Sequence, residues 1–156
     1  MATPSIQLAE AVAAALVAEN SDWLAERKNF PLLRKEDVPN SGFVMQVIPN
    51  GYQLVEDAQA RSLFTEMYSV AVSCYRKANT VTEQDAALED IDDVRQFLMS
   101  ESLTQIDMTG DTAMGNARLM PTMLNSPEYD FERLKDENVF QSVIQLDYIL
   151  YRERAE

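Results

Sequence analysis

The sequence predicts an α+β fold: a mostly antiparallel sheet with helices packed on one face, in a single domain. Three observations predict it. Residues 62–76 and 139–151 alternate apolar and polar side chains at every second position, the period of a half-buried strand. Residues 4–19 and 82–99 repeat apolar side chains at three- and four-residue steps, the period of an amphipathic helix. Helices are few and the two long strands dominate, which suits an antiparallel sheet with one covered face.

The elements follow in chain order. Pro4 fits the first turn of a helix, and Thr3 or Ser5 caps it. Ile6, Leu8, Val12, Ala15 and Leu16 form its apolar stripe, and Asn20-Ser21-Asp22 ends it. Residues 23–30 read as a first strand stopped by Pro31, and residues 31–41, with two prolines and mixed charge, as a loop. Residues 42–48 are a short apolar, β-branched strand that Pro49 closes. Asn50-Gly51 is a turn signal, and residues 56–60 form a polar connection.

The strand over 62–76 is the clearest element. Phe64, Tyr68, Val70, Val72 and Cys74 share one parity, and Thr65, Met67, Ser69, Ala71 and Ser73 share the other. At about 3.3 Å per residue it spans roughly 45–50 Å, long enough for an arm to project beyond the sheet. Thr82 reads as the N-cap of the second helix, with Leu88, Ile91, Val94 and Leu98 on its apolar stripe. Residues 100–110 are polar with a glycine stop. Residues 117–124 form an edge strand or bulge interrupted by Pro121. Asn125-Ser126-Pro127 is a turn, and residues 130–136 make one or two helical turns. The strand over 139–151 sets Phe140, Ile144, Leu146, Tyr148 and Leu150 on one face and Gln141, Gln145 and Asp147 on the other. The tail 152–156 is expected to fray.

Composition narrows the function. The chain has 156 residues, a normal length for one domain with an ordinary apolar core. Thirteen basic against 26 acidic residues give a net charge of −13, which argues against a module that binds DNA phosphates or anionic membranes. Histidine is absent, which removes His-dependent nucleophile systems and His-ligated metals. Cys74 is the single cysteine, so neither an intrachain disulfide nor a cysteine-cluster metal site exists. No P-loop or G-x-G-x-x-G pattern occurs. No apolar run is long enough to span a membrane, and residues 1–5 lack the basic region of a secretory signal, so a reducing cytoplasm, or a particle assembled there, is the expected compartment.

Candidate chemistry is sparse. Glu89, Asp90, Asp92 and Asp93 lie beside the apolar stripe of the second helix and read as its solvated face rather than a cation site. Residues 107–111 lack the ligand spacing of a calcium loop. Cys74 lies on the apolar parity of the long strand and reads as a small hydrophobe. Nothing selects a carboxylate pair for acid–base work, so no enzyme, cofactor or metal is expected. Met108, Met114, Met120 and Met123 concentrate in the least regular stretch, either as packing or as a segment that orders against a partner.

Several phrases stand out in order along the chain. They are the Ala-rich helix over 9–18, Leu24-Ala25-Glu26-Arg27 leading to Phe30-Pro31, and Phe43-Val44-Met45-Gln46-Val47-Ile48-Pro49. The long strand with Tyr68-Ser69-Val70-Ala71-Val72 and the helix over 85–98 follow. The most specific part is Pro127-Glu128-Tyr129-Asp130-x-Glu132-x-Leu134, then Phe140-Gln141-Ser142-Val143-Ile144-Gln145-Leu146-x-Tyr148. Together these phrases resemble the tail terminator family of long-tailed bacteriophages over about residues 6–148; residues 38–41 and the high acidity depart from it.

The resemblance implies a structural virion protein in the tail and neck. It would form a homo-oligomeric ring, most often a hexamer, that closes the tail tube and joins it to the head–tail connector or stopper. DNA would meet it only as passing cargo, and an acidic channel would repel that cargo. Unpaired sheet edges and a projecting arm suit such assembly. The expected interface residues are Asn50, Gly51, Tyr52 and Arg61 around the connection into the long strand, and Met108, Met114 and Arg118 in the irregular stretch toward tube or connector. The runner-up readings are another neck protein, an acidic DNA-mimic binding module, and a small carboxylate enzyme.

Overall fold

The computed structural model describes residues 3–29, 36, 38, 43–55, 63–107, 117–120 and 129–153. Helix α1, Pro4–Glu19, begins where expected: the Thr3 hydroxyl accepts the Ile6 N–H at 3.4 Å, and Pro4 occupies the first turn, where no N–H is needed. Strand β1, Leu24–Arg27, is followed by β2, Val44–Val55, and β3, Leu63–Lys77. Helix α2, Val81–Leu98, leads into the single turn α3, Glu101–Thr104, and the two-residue strand β4, Gln105–Ile106. Strand β5, Ala117–Met120, helix α4, Phe131–Glu137, and strand β6, Val139–Glu153, complete the described chain.

The strands form one six-stranded sheet in the order β1-β2-β3-β6-β5-β4. The fold is α+β as expected, with one difference: the sheet is mixed, because β1 pairs parallel to β2 while every other pair is antiparallel. The parallel pair arises because β1 and β2 are joined by a long connection, residues 28–43, rather than a tight hairpin. At the centre, β3 and β6 pair along their whole length, from Leu63 opposite Glu153 to Lys77 opposite Val139, without a register shift.

Side-chain alternation on these two strands builds the core. Val70, Val72 and Cys74 of β3 and Ile144, Leu146 and Tyr148 of β6 are buried on one face with Leu8, Val12 and Leu16 of α1 and Ile91, Val94 and Leu98 of α2. Helix α2 is also tied to the sheet by charge. Arg76 of β3 donates to Asp90 at 2.9 Å, and the arginine side chain is only 11% exposed. The acidic face of α2 therefore includes a carboxylate that anchors the helix, not only solvated groups.

Helix α4 buries no residue of its own. It is held to the starting end of β6 by Arg133, which lies 5.4 Å over the Tyr75 ring and donates to Gln141 at 2.8 Å. Tyr129 stacks on Phe140 with centroids 5.1 Å apart. Its C-cap is Asn138 at φ 57°, a left-handed position that asparagine tolerates better than most residues.

Three local expectations need correction. The N-cap of α2 is Thr80, not Thr82: its hydroxyl accepts the Glu83 N–H at 3.2 Å, and the Glu83 carboxylate in turn accepts the Asn79 N–H at 2.6 Å. This reciprocal arrangement holds the helix start two residues earlier. Strand β2 does not end before Pro49, and Asn50-Gly51 is not a turn; both lie inside the strand. Finally, α3 and β4 regularise part of the stretch read as polar connection, because the Ser100 carbonyl accepts N–H bonds from both Leu103 and Thr104.

Three outcomes follow from this core. Leu146→Ala, at a site with no solvent exposure, is expected to cost about 2–5 kcal/mol, read from urea unfolding. The alkaline limb of stability is set by buried neutral groups: burial pushes the Cys74 thiol up to about 12, against a weaker opposing pull from Arg95, and also raises the Tyr75 and Tyr148 hydroxyls. Each of these groups keeps its proton longer when folded than unfolded. The unfolded state therefore binds fewer protons above about pH 9, and stability falls there by up to about 1.4 kcal/mol per pH unit for each such group. Urea midpoints that stay level from pH 8 to 11 would contradict this. In the same window, Cys74 should resist thiol reagents until the protein unfolds.

Candidate assembly interface

Strand β1 is short. Leu24–Arg27 pair with Val44–Val47, and the Lys28 N–H donates to the Val47 carbonyl at 2.9 Å. Beyond Val47, among the described residues, no strand pairs with the outer side of β2, while its inner side pairs with β3 as far as Val55 opposite Thr65. This is an edge about eight residues long. Pro49 sits on it without cost to the outer ladder, since proline lacks only the N–H that an edge does not need.

The register changes at the same place. Pro49 lies opposite Val70 and Gly51 opposite Ser69, so Asn50 is the extra residue of a β-bulge. The bulge swaps the parity of the strand. Before it, Met45 and Val47 face the helices, opposite Cys74 and Val72; after it, Tyr52 and Leu54 do, opposite Tyr68 and Glu66. Tyr52 packs its ring on Tyr68 at 5.2 Å between centroids. Tyr52 and Leu54 are nevertheless each 57% exposed, a pair of large apolar side chains beside that edge. Directly opposite Leu54 lies Glu66, only 3% exposed, which accepts a hydrogen bond from the Tyr68 hydroxyl at 2.9 Å.

The opposite face of the sheet is mixed: Tyr75 and Val139 are buried there with Val38 in a second small cluster, and polar side chains lie farther along the strands. Ser69 of β3 donates to the Asp147 carboxylate directly across on β6 at 2.6 Å, and Gln145 donates to the same oxygen at 3.1 Å. Ala71 and Ser73 lie in the same row, and Val143 is exposed.

The structure brings Asn50, Gly51 and Tyr52 together on one edge, as strand residues rather than as the expected turn. Arg118 is exposed on β5, opposite Ile149 of β6, and so is separated from that edge by β3 and β6. Arg61, Met108 and Met114 lie outside the described residues. Leu54 and Glu66 were missed. Leu54 had a signal, its two-residue spacing from Tyr52, which became meaningful only once the strand was known to continue.

Chemistry elsewhere is structural. Cys74 is fully buried and stays protonated. On α2, Asp90 pairs with Arg76 and Asp92 accepts from Gln96 at 2.8 Å. Among the described residues, no three acidic or cysteine side chains converge on a metal-sized site, and no helix is long and apolar enough to cross a membrane.

Comparison with known proteins adds no relative: no protein-family model matches the chain, and no curated protein matches it significantly.

One substitution tests the bulge. A Cβ at Gly51 would meet Ser69 Cβ at 3.5 Å, an ordinary contact, and the Gly51 backbone is not in the left-handed region. Gly51→Ala should therefore be neutral or stabilising by up to about 1 kcal/mol in thermal unfolding. A loss above about 2 kcal/mol would restore the turn reading.

Proposed function

We propose that this protein is a structural ring protein of a phage tail, a tail terminator that closes the tail tube and joins it to the head–tail connector. The observation that carries the reading is the outer side of β2 beyond Val47, which no strand among the described residues pairs, flanked by exposed Tyr52 and Leu54. Backbone N–H and C=O groups on such an edge seek a partner strand, and adjacent apolar side chains supply buried area when one arrives. A contact between this edge and a different surface of the next copy is heterologous, and a heterologous contact that closes yields a ring.

The length of the β3–β6 ladder is compatible with the same reading, as is the resemblance of the sequence phrases to the terminator family. In this role the net charge of −13 suits a channel that DNA crosses without adhering. The protein would be assembled in the host cytoplasm and retained in the virion, with tail tube protein below and connector or stopper protein above.

The test is mass in solution across concentration, followed by electron microscopy with tail tube protein. The expected result is a ring, or a monomer that becomes a ring on tube ends. A double variant, Tyr52→Lys with Leu54→Lys, should keep the circular dichroism of the parent and lose no more stability than the Tyr52–Tyr68 ring contact is worth, about 0.5–1.5 kcal/mol, yet lose ring formation and tube capping. A parent protein that stays monomeric or dimeric and never binds tubes overturns the reading. Capping by the double variant at parental level overturns the assignment of this edge.

A further inference from the structure

A second feature lies away from that edge, where the C-terminal ends of α1 and α2 meet. They enclose an open cleft of about 380 Å³. Trp23, just before β1, and Phe97 of α2 form its floor, their rings 5.9 Å apart and tilted by 54°. Glu19 and Asp93 stand on its rim, both exposed, and neither forms an ion pair among the described residues. Gln96 also lines it; its amide N–H₂ donates to Asp92, which leaves its carbonyl oxygen as an acceptor. Among the described residues, no basic side chain lines the cleft.

We infer that this cleft is a docking site for an arginine side chain presented by another polypeptide. Its electrostatics are one-signed. The carbonyl end of a helix carries partial negative charge, and α1 ends in Glu19 with no basic residue in its last turn. A carboxylate at that position is unfavourable to the isolated helix, so the site lacks the cation that would balance it. Helix α2 does carry Arg95 in its last turn, but Arg95 does not line the cleft. Asp93 adds a second carboxylate across the opening, and a concave surface focuses the field of like charges.

The aromatic floor selects the kind of cation. A hydrated metal ion gains nothing from Trp23 and Phe97. An arginine side chain has an apolar stem and a flat, weakly hydrated guanidinium that lies well on aromatic rings, and its fork of donors matches carboxylate oxygens. Lysine offers a compact, strongly hydrated charge that fits such a floor less well. The inference stands independently of the ring reading, since the cleft uses none of the residues of the β2 edge.

Trp23 is the only tryptophan, so its indole N–H gives a single resolved signal for the cleft. The experiment titrates the full chain at low salt with acetyl-Gly-Arg-Gly-amide and, in parallel, with the uncharged citrulline analogue, following that signal by NMR. The expected result is a saturable shift with the arginine peptide, weak or absent with citrulline. Glu19→Gln and Asp93→Asn should each lower the apparent affinity about three- to tenfold, and both lie at exposed positions, so folding is retained and checked by circular dichroism. A shift that does not saturate, that is equal for citrulline, or that is unchanged in both variants overturns the inference.

Discussion

The pairing of β3 with β6 is the constraint on which the rest depends. Fifteen rungs run in one unbroken register, and both strands send alternate side chains into the same core. A slip of one residue on either strand would turn Val70, Val72 and Cys74, or Ile144, Leu146 and Tyr148, to the polar face. It would also part Ser69 from Asp147, whose hydrogen bond crosses the same pair on the other face. Register is therefore specified twice, by apolar burial on one side and by a polar cross-strand bond on the other. Helix α2 reaches this ladder through Arg76, and α4 caps its end through Arg133 and Tyr129.

Where periodicity was long and unbroken, the fold was legible. Helix α1 appears with the bounds expected from Pro4 and the Asn20 stop, and β3 and β6 follow from their two-residue alternation. Strand β2 was truncated for a physical reason. Proline and Asn-Gly are good signals for strand ends when the strand is paired on both sides, but on an edge the proline costs nothing and the extra residue folds into a bulge. The parallel pairing of β1 was invisible, because four residues carry no information about direction. Thr80 was passed over for Thr82, since both threonines precede acidic residues and only the Glu83 contacts distinguish them.

The candidate sites divide along the same line. Asn50, Gly51 and Tyr52 were legible as a group because they are adjacent in sequence, even though their conformation was misread. Arg118 was chosen for its charge and its irregular surroundings, and the sheet order separates it from them. The cleft was not legible at all: Glu19 and Trp23 come from one segment and Asp93, Gln96 and Phe97 from another, and only packing of the two helix ends brings them together. Its one local sign was a helix that ends on an acid with no base nearby.

The central ladder also has a consequence for synthesis. Ser69 and Asp147, midway along it, are 78 residues apart in the chain. At a translation rate of about 5–20 residues per second, β3 emerges from the ribosome several seconds before its partner. During that interval β3 has no partner on the side that β6 will take, and Val70, Val72 and Cys74 lack half of their core. A nascent chain in that state is the one most exposed to wrong strand partners, including the same segment on a neighbouring ribosome of the polysome. Slower passage through codons between β3 and β6 would lengthen that exposure, so the yield of folded protein is expected to depend on translation speed across residues 78–138 more than anywhere else in the message.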